Sequence, residues 1–184
     1  MFSIIIATHD SERALVPTLA ALVPGATAGI VREVIVADAG SRDKTEDVAD
    51  IAGCRFLASA DPLGVRLKAA ARSARGDWLM FLRPGVVPGI TWIDETTAFV
   101  EKTGADARAA VFAPDPGLTG LSRALRTLLG FVPSARQGLI IRKTFYGELG
   151  GHRADAADPE AGLLRRIGRR RRVRLRTYLT PSTS

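Results

Sequence analysis

The feature that most constrains this chain is a repeated order of short apolar runs, each followed by a segment with helical spacing. The first run, Phe2 to Thr8, is rich in isoleucine, which is typical of a parallel strand buried on both faces. Leucines at helical spacing follow from Ser11 to Val23, and the pair Pro24-Gly25 predicts the end of that helix. Further strands are predicted at residues 34–38, 55–59, 78–82, 108–113, 138–141 and 173–179, and helices at 41–53, 63–75, 90–103, 119–129, 143–149 and 159–167. This order predicts an α/β fold with a mostly parallel central sheet and helices on both faces.

The length of 184 residues predicts a single domain spanning residues 1–184. The formal net charge is +7, but eight arginines and no acid stand in residues 165–176, so the rest of the chain carries −1. The positive charge is therefore confined to one patch. This is weaker evidence for a protein that coats nucleic acid than the overall charge suggests. The single cysteine, Cys54, excludes an intrachain disulfide, and no apolar run approaches the length of a membrane span. We expect a cytoplasmic protein, with association at the inner membrane surface left open.

Several common enzyme motifs are absent. No glycine follows the first strand, no phosphate-binding GxxxxGK[ST] loop occurs, and there is no GxSxG sequence. The two histidines, His9 and His152, have no partner at metal-ligand spacing, so we expect them to be polar loop residues. A dehydrogenase, a P-loop enzyme and a zinc hydrolase are all disfavoured.

Polar residues follow three of the predicted strands. They are Thr8–Asp10, Asp38–Ser41 and Arg83–Gly85. Because ligands of open parallel sheets bind at the carboxyl ends of the strands, any chemistry is expected at this edge.

Three segments in this order and spacing resemble the nucleotide-sugar-binding half of the family-2 glycosyltransferases, which have a GT-A fold. They are SIIIATHDSE, EVIVADAGSRDKT and ARGDWLMFLRPG. The second segment matches an Asp-x-Gly-Ser-x-Asp-x-Thr loop at Asp38, Gly40, Ser41, Asp43 and Thr45, which is the most specific single match. A fourth segment, residues 136–151, resembles the acceptor side of the same family and includes Gln137 and Gly138. The resemblance covers about residues 2–176 and implies a donor-binding half (about 1–105) and an acceptor-side half (about 106–184).

The resemblance implies a subsite for a UDP- or GDP-linked sugar donor. Thr8 and Asp10 would contribute to it from the first loop, and Asp38 would accept a hydrogen bond from a pyrimidine N–H or a ribose hydroxyl. Gly40 permits a tight turn, and Ser41 is expected to begin a helix whose positive end faces the cleft. The plainer interpretation of this segment is a turn followed by a helix cap.

The segment after the fourth strand departs from the family. Its members carry an Asp-x-Asp motif there, which holds Mg²⁺ or Mn²⁺ against the diphosphate, whereas this chain has Arg83–Gly85. We therefore predict no metal site of the usual kind and no certain cofactor. Arg83 is expected to bind the diphosphate instead, because a guanidinium binds phosphate in two-pronged fashion, with help from Arg66, Lys68 and Arg72. Two interpretations stay open: a transferase that needs no metal, and a non-catalytic module that binds nucleotide or protein at a decayed site.

An inverting transferase needs a carboxylate that takes the proton from the acceptor hydroxyl. The resemblance places this base just before an arginine-rich helix, which falls on Glu160, with Asp158 as the second choice. The alternative is that both are solvated acids at a helix N-terminus, where they favour the dipole.

The arginine tract at residues 165–176 has three interpretations. It is a solvated face, a patch for an anionic membrane surface or a lipid-linked acceptor, or an RNA-binding segment. RNA ranks last because Tyr178 is the one neighbouring aromatic, too few for a stacking platform. The sequence also leaves open a second copy of the chain or a partner protein.

Overall fold

A computed structural model describes residues 1–103, 106, 108–113 and 138–182. The strands are β1 (Phe2–Thr8), β2 (Val31–Asp38), β3 (Arg55–Ala58), β4 (Trp78–Leu82), β5 (Val86–Pro88), β6 (Ala109–Ala113), β7 (Leu139–Arg142) and β8 (Arg172–Pro181). The helices are α1 (Glu12–Thr27), α2 (Thr45–Ile51), α3 (Leu63–Ser73), α4 (Trp92–Thr103), α5 (Lys143–Glu148) and α6 (Pro159–Ile167), and a 3-10 turn spans Arg169–Arg171. No helix within these ranges is long and apolar enough to cross a bilayer.

The described strands form one sheet of order β3-β2-β1-β4-β7-β6-β8-β5. The first four strands of that order are parallel, β7 runs antiparallel to both β4 and β6, and β8 runs parallel to β6. All the parallel strands therefore end at one edge of the sheet, and β7 begins there. This arrangement confirms the predicted α/β fold with a mostly parallel sheet.

Apolar side chains leave the sheet on both faces, which explains the continuous apolar runs. Ile4 and Ile6 of β1 pack beneath α1, α2 and α4, whereas Ile5 packs against α3, α5 and α6. All three isoleucines are completely buried. Two layers of helices thus cover the sheet, as predicted.

The predicted end of α1 at Pro24-Gly25 is wrong, because the helix continues to Thr27. The ring of Pro24 lies on the exposed side of the helix, where the carbonyl that loses its hydrogen bond belongs to exposed Ala20. Gly25 has a packing role instead: a Cβ there would lie 2.4 Å from a ring carbon of Trp92.

The predicted helix start at Ser41 is also wrong, since α2 begins four residues later at Thr45. A short strand, β5, was not predicted, and β2 begins at Val31 rather than Val34. The predicted helix at residues 119–129 lies outside the described residues.

Candidate functional site

The site is built at the edge where β1, β2 and β4 end. Thr8 and Asp38 are the last residues of β1 and β2 and are paired in register, while Ile6 lies opposite Leu82 of β4. Arg83 therefore leaves β4 beside the end of β1, about one strand spacing from it. The turn after Arg83 is fixed to α1, because the Gly85 N–H donates to the Ala14 carbonyl at 2.8 Å.

Asp38 is completely buried and accepts four hydrogen bonds. Its Oδ1 accepts from the N–H groups of Gly40 (2.7 Å) and Ser41 (2.6 Å), and its Oδ2 accepts from the hydroxyls of Thr8 (2.6 Å) and Ser41 (2.6 Å). Burial raises the pKa of this carboxyl, but the hydrogen bonds from Ser41, Thr8 and Gly40 outweigh it, so the pKa lies below its usual value. Asp38 is thus an ionised anchor of the loop.

The Ser41 hydroxyl explains why no helix starts there. It donates to Asp38 and accepts from the Asp10 N–H at 2.8 Å, while the Arg42 N–H donates to Asp10 Oδ1 at 2.7 Å. Asp10 has a positive φ of 46°, a conformation that short polar side chains adopt more readily than others. Gly40 has a φ of 83°, so the tight turn predicted at this glycine is present.

Two further contacts join residues 9–12 to residues 39–45, which together we call the paired loops. The Ser11 N–H donates to Thr45 Oγ1 at 2.8 Å, and the Glu12 N–H donates to Asp43 Oδ2 at 2.9 Å. The Asp43 carboxylate therefore satisfies an N–H in the first turn of α1, where the helix dipole favours a negative charge. These contacts fix the shape of the paired loops before any ligand arrives.

Arg66 supports the strand ends from α3. Its Nη1 donates to the carbonyls of Ala37 (2.5 Å) and Thr8 (3.3 Å), and its Nε donates to the Asp61 carbonyl at 3.1 Å. Burial lowers the pKa of Arg66, and the Asp38 charge partly restores it. Its guanidinium is thus engaged with the backbone under the site.

Lys68 and Arg72 do not join Arg66. Lys68 lies about 200° around α3 from Arg66, is exposed, and has no hydrogen bond or ion pair within the described residues. Arg72 lies at the far end of the helix, where its carbonyl accepts from Lys143 Nζ at 3.3 Å. The structure therefore does not bring these two residues together with Arg66 and Arg83, and their assistance to Arg83 stays a prediction.

Arg83 and Glu160, predicted separately, form an ion pair. Arg83 Nη2 contacts Glu160 Oε2, with 43% of the Arg83 side chain and 13% of the Glu160 side chain exposed. Burial and the neighbouring charge of Asp158 raise the pKa of Glu160 and the Arg83 pair lowers it, and the net shift is upward. A partly exposed cation and a largely buried carboxylate thus meet at the end of β4.

Asp158 has a structural task at the start of α6. Its Oδ1 accepts from the Ala161 N–H at 2.9 Å, which makes it the N-cap, and Pro159 occupies the first helical position. Asp158 is consequently a weaker candidate base than Glu160.

His152 lies in a loop, as predicted, but it is 1% exposed and belongs to a buried cluster that the sequence did not reveal. Its Nδ1 lies 2.9 Å from the Tyr146 hydroxyl, and its ring meets the Phe81 ring edge-on at 4.9 Å. Burial lowers the His152 pKa to about 3, with a smaller contribution from the Arg166 charge, so the ring is neutral. The neighbouring Arg166 donates to the carbonyls of Leu149 and Gly151, so one arginine of the tract points inward.

Gly138 precedes β7 at the site edge, because Leu139 pairs with Phe81 near the end of β4. It has a φ of 61°, and a Cβ there would lie 2.9 Å from the Phe112 ring. Gln137, the other residue predicted for the acceptor side, lies outside the described residues.

The residues at the end of β4 do not fit a divalent cation. Mg²⁺ and Mn²⁺ prefer oxygen ligands and carboxylates above all, whereas the turn supplies Arg83, Pro84 and Gly85. Glu160, a carboxylate that reaches this turn, is paired with Arg83. Across the described ranges, no group of three or more His, Cys, Asp or Glu side chains could hold a metal ion.

Solved structures of several bacterial proteins have the same fold. Glucosyl-3-phosphoglycerate synthase from Mycobacterium tuberculosis, crystallised with Mn²⁺ and UDP-glucose, is 20% identical; the match covers 100% of this chain and 72% of that chain, with a TM-score of 0.72. TarS of S. aureus is 16% identical, over 98% of this chain and 60% of that chain, also with a TM-score of 0.72. A mycobacterial protein is 21% identical, and the match covers 100% of this chain and 68% of that chain, with a TM-score of 0.73. No curated protein sequence matches this chain at a significant level.

The sequence itself matches a family model over most of its length. Residues 3–167 fit the model described as glycosyl transferase family 2. That range includes the paired loops, Arg83 and Glu160, and the fold agrees with the GT-A structures above. The chain therefore belongs to glycosyl transferase family 2.

Proposed function

We propose that this protein transfers a sugar from a nucleotide-linked donor to a hydroxyl group of an acceptor, with Arg83 in the position where relatives use a metal ion. The observation that carries the proposal is the Arg83–Glu160 pair at the end of β4. It places a guanidinium and a carboxylate together at the edge where the paired loops meet. Membership of the family and a fold shared with enzymes crystallised with UDP and UDP-glucose support a UDP-linked donor above a GDP-linked one.

The paired loops would hold the nucleoside. Because Asp38 has all its hydrogen bonds inside the protein, we assign it the positioning of the loop and not a contact with the base. The exposed Asp10 and the backbone of residues 39–42 are then the groups that face a nucleotide. Arg66 supports them from below through the Thr8 and Ala37 carbonyls.

Arg83 would bind the diphosphate. When the bond from the anomeric carbon to the phosphate oxygen breaks, its electron pair stays with the nucleoside diphosphate, and negative charge builds there. A guanidinium supplies a fixed positive charge and several N–H donors to such an oxyanion. With 43% of its side chain exposed, Arg83 keeps donors free for this contact in addition to those that face Glu160.

Glu160 would act as the base. It takes the proton from the acceptor hydroxyl while that oxygen attacks the anomeric carbon from the side opposite the departing diphosphate, so the configuration inverts. While Glu160 is paired with Arg83, its basicity is reduced, because the guanidinium stabilises the ionised form. A diphosphate that draws Arg83 away removes this stabilisation, so donor binding makes Glu160 a stronger base.

Calorimetric titration with UDP, GDP and UDP-glucose, each with and without Mn²⁺, tests the binding step. We expect micromolar binding of UDP that Mn²⁺ does not change. Arg83→Gln should weaken it about 10- to 100-fold, as loss of a charged hydrogen bond does. Lys68→Gln removes the same charge from the far side of α3 and should change nothing. Binding that needs Mn²⁺, or that survives Arg83→Gln, would overturn the role of Arg83.

The proposed transfer of Arg83 from Glu160 to the diphosphate has its own test. In Glu160→Gln the carboxylate no longer competes for Arg83, so UDP should bind more tightly than to the unmodified protein. The double variant Arg83→Gln/Glu160→Gln should bind as weakly as Arg83→Gln alone. Equal UDP affinities of Glu160→Gln and the unmodified protein would refute the exchange while leaving nucleotide binding intact.

The second candidate is a module that binds nucleotide or protein without turnover. The same ion pair favours it in one respect, because Arg83 and Glu160 satisfy each other without a ligand. Slow hydrolysis of UDP-glucose, in which water takes the place of the acceptor and glucose and UDP are released, distinguishes the two. Release that is abolished by Glu160→Gln, despite tighter UDP binding, supports the transferase, whereas tight binding with no release in any variant supports the module.

A further inference from the structure

A cluster of positively charged side chains lies at the end of the molecule opposite the site. Helix α6 begins beside Arg83 and runs away from the site, and β8 then starts where β6 and β7 meet, with Arg172 opposite Ala109. Arg142 at the end of β7 pairs with Trp78, the first residue of β4. The 3-10 turn Arg169–Arg171 therefore lies at the sheet edge where the parallel strands begin.

Contacts join this turn to the end of α3. The Arg171 guanidinium lies 5.7 Å from the centre of the Phe145 ring in α5. Two residues earlier, Lys143 Nζ donates to the carbonyls of Ala74 (2.5 Å) and Arg72 (3.3 Å). Three separate segments of the chain thus meet on one face. We call this surface the cationic pole, and its exposed members are Arg72, Arg75, Arg169, Arg170 and Arg171.

Two carboxylates lie at the margin of the pole. Glu33, which is paired with Arg55, accepts from the Arg75 N–H at 2.6 Å, and Asp77 is exposed between Arg75 and β4. None of the pole's five arginines lies within ion-pair distance of a carboxylate among the described residues. Arg172, at its margin, has a pKa lowered by burial and by the charges of Arg169 and Arg174. Its Nη1 is buried without a hydrogen-bond partner in the described part of the chain. Arg166, in contrast, is engaged with backbone carbonyls, so the tract divides into internal and external arginines.

The surroundings of the pole suit a bilayer better than a polynucleotide. The large apolar side chains that are exposed among the described residues include no aromatic at this end, and Tyr178 lies near the other end of β8. Single strands need such rings for stacking. Aliphatic side chains are exposed instead: Ile51 (88%) at the end of α2 and Val23 (59%) in the last third of α1, both helices that run toward this end. These two helices cover the face of the sheet opposite α3 and α5, so the aliphatic side chains share one end of the molecule with the pole but not one face. A surface that combines basic and aliphatic side chains is typical of proteins that lie on a membrane interface.

We infer that the cationic pole docks this protein on an anionic phospholipid bilayer, with the site at the end of β4 directed away from the lipid. Arginines near such a surface are attracted by its negative potential, and the attraction is screened by salt. The orientation implies that the acceptor arrives from the aqueous side and is not drawn from the bilayer beneath. The docking itself does not depend on the proposed transfer reaction, whereas the direction from which the acceptor arrives does.

Sedimentation of the full chain with vesicles tests the inference. We expect binding to vesicles of phosphatidylcholine with phosphatidylserine, little binding to phosphatidylcholine alone, and loss of binding at high salt. Arg169→Gln/Arg170→Gln should weaken binding about 30-fold. Arg174→Gln/Arg176→Gln removes the same charge from the same tract, but from the outer face of β8, and should weaken it less than about threefold.

Three results would overturn the inference. Failure to bind the anionic vesicles excludes the bilayer, and equal losses in the two double variants exclude an oriented pole. Tighter binding to a single-stranded RNA oligonucleotide than to the vesicles, lost in Arg169→Gln/Arg170→Gln, would assign the pole to nucleic acid. Circular dichroism and thermal unfolding of each variant establish that the fold is retained.

Discussion

Thr8 and Asp38 end neighbouring parallel strands in register, and the Thr8 hydroxyl donates to Asp38 Oδ2 at 2.6 Å. The hydrogen bond closes the sheet at the point where the backbone of both strands turns into loops. It is one of four that Asp38 accepts, and the other three hold Gly40 and Ser41. The paired loops thus depend on one buried carboxylate.

Substitutions of Asp38 should therefore reduce stability in a defined order. Asp38→Ala leaves the Gly40 and Ser41 N–H groups without partners and should cost about 3 kcal/mol or more. Asp38→Asn keeps acceptors for both N–H groups and should cost about 1–2 kcal/mol, and Thr8→Val about 1 kcal/mol. Urea denaturation measures all three. Because the Asp38 pKa is lowered, its contribution is present above the usual aspartate pKa and is lost as pH falls further. If Asp38→Ala and Asp38→Asn reduced the free energy of unfolding equally, the four hydrogen bonds to Asp38 would not be what holds the loop.

The contribution of Glu160 to the free energy of unfolding should fall as pH rises. Its pKa is higher in the folded than in the unfolded chain, so the folded state binds more protons between the two values. Stability relative to Glu160→Gln should then fall as pH increases from the usual glutamate pKa through the raised one. The charged groups that face Glu160 are Arg83 and Asp158. At pH 7 Glu160→Gln should cost no more than about 1 kcal/mol, since desolvation offsets the ion pair. Parallel stability curves from pH 4 to 8 would show that the pKa is not raised.

His152 should have the opposite effect at mildly acidic pH. Its pKa is about 3 in the folded protein, so only the unfolded chain takes up a proton as pH falls below 6.5. The protein should lose about 2 kcal/mol between pH 7 and pH 5 from this residue. His152→Gln, whose amide can donate to or accept from the Tyr146 hydroxyl, should lack that loss. NMR of the ring nitrogens is an independent check, and a His152 signal that titrates near pH 6 would contradict the buried neutral ring.

Two glycines in neighbouring helices should respond in opposite directions to alanine. A Cβ at Gly64 would lie 2.1 Å from the Arg153 carbonyl oxygen, so Gly64→Ala must push the loop before α6 away from α3. We expect a cost of about 1–3 kcal/mol. Gly162→Ala, with no atom closer than 4.0 Å, should stabilise α6 by about 0.5–1 kcal/mol. Thermal unfolding of both variants measures the difference, and a neutral Gly64→Ala would mean that the two elements are not in close contact.

The sheet and its helices could be predicted because each strand is an apolar run long enough to be buried on both faces. The helix ends were less predictable. Proline ends most helices, but the ring of Pro24 is exposed and the helix continues. Trp92, from another element, packs against Gly25. That contact depends on residues 67 positions apart, which local patterns do not report.

The sequence suggests the members of the candidate site but not their arrangement. Thr8, Asp38, Arg83 and Glu160 each followed from position and resemblance. The pairing of Arg83 with Glu160 joins positions 77 apart, and the contacts between the paired loops join positions about thirty apart. Serine is a common helix cap, but the Ser41 hydroxyl donates to the Asp38 carboxylate and accepts from the Asp10 N–H instead.

The position of β8 has a consequence for how the chain folds. Strand β5 pairs with β8 and with no other described strand, and Val87 and Thr180 lie 93 residues apart. During synthesis β5 and the outer edge of β6 leave the ribosome long before their partner exists, and open edges of this kind invite pairing with other chains. Because contacts of long sequence separation form slowly, docking of β8 is expected to be the late, rate-limiting event that completes the sheet.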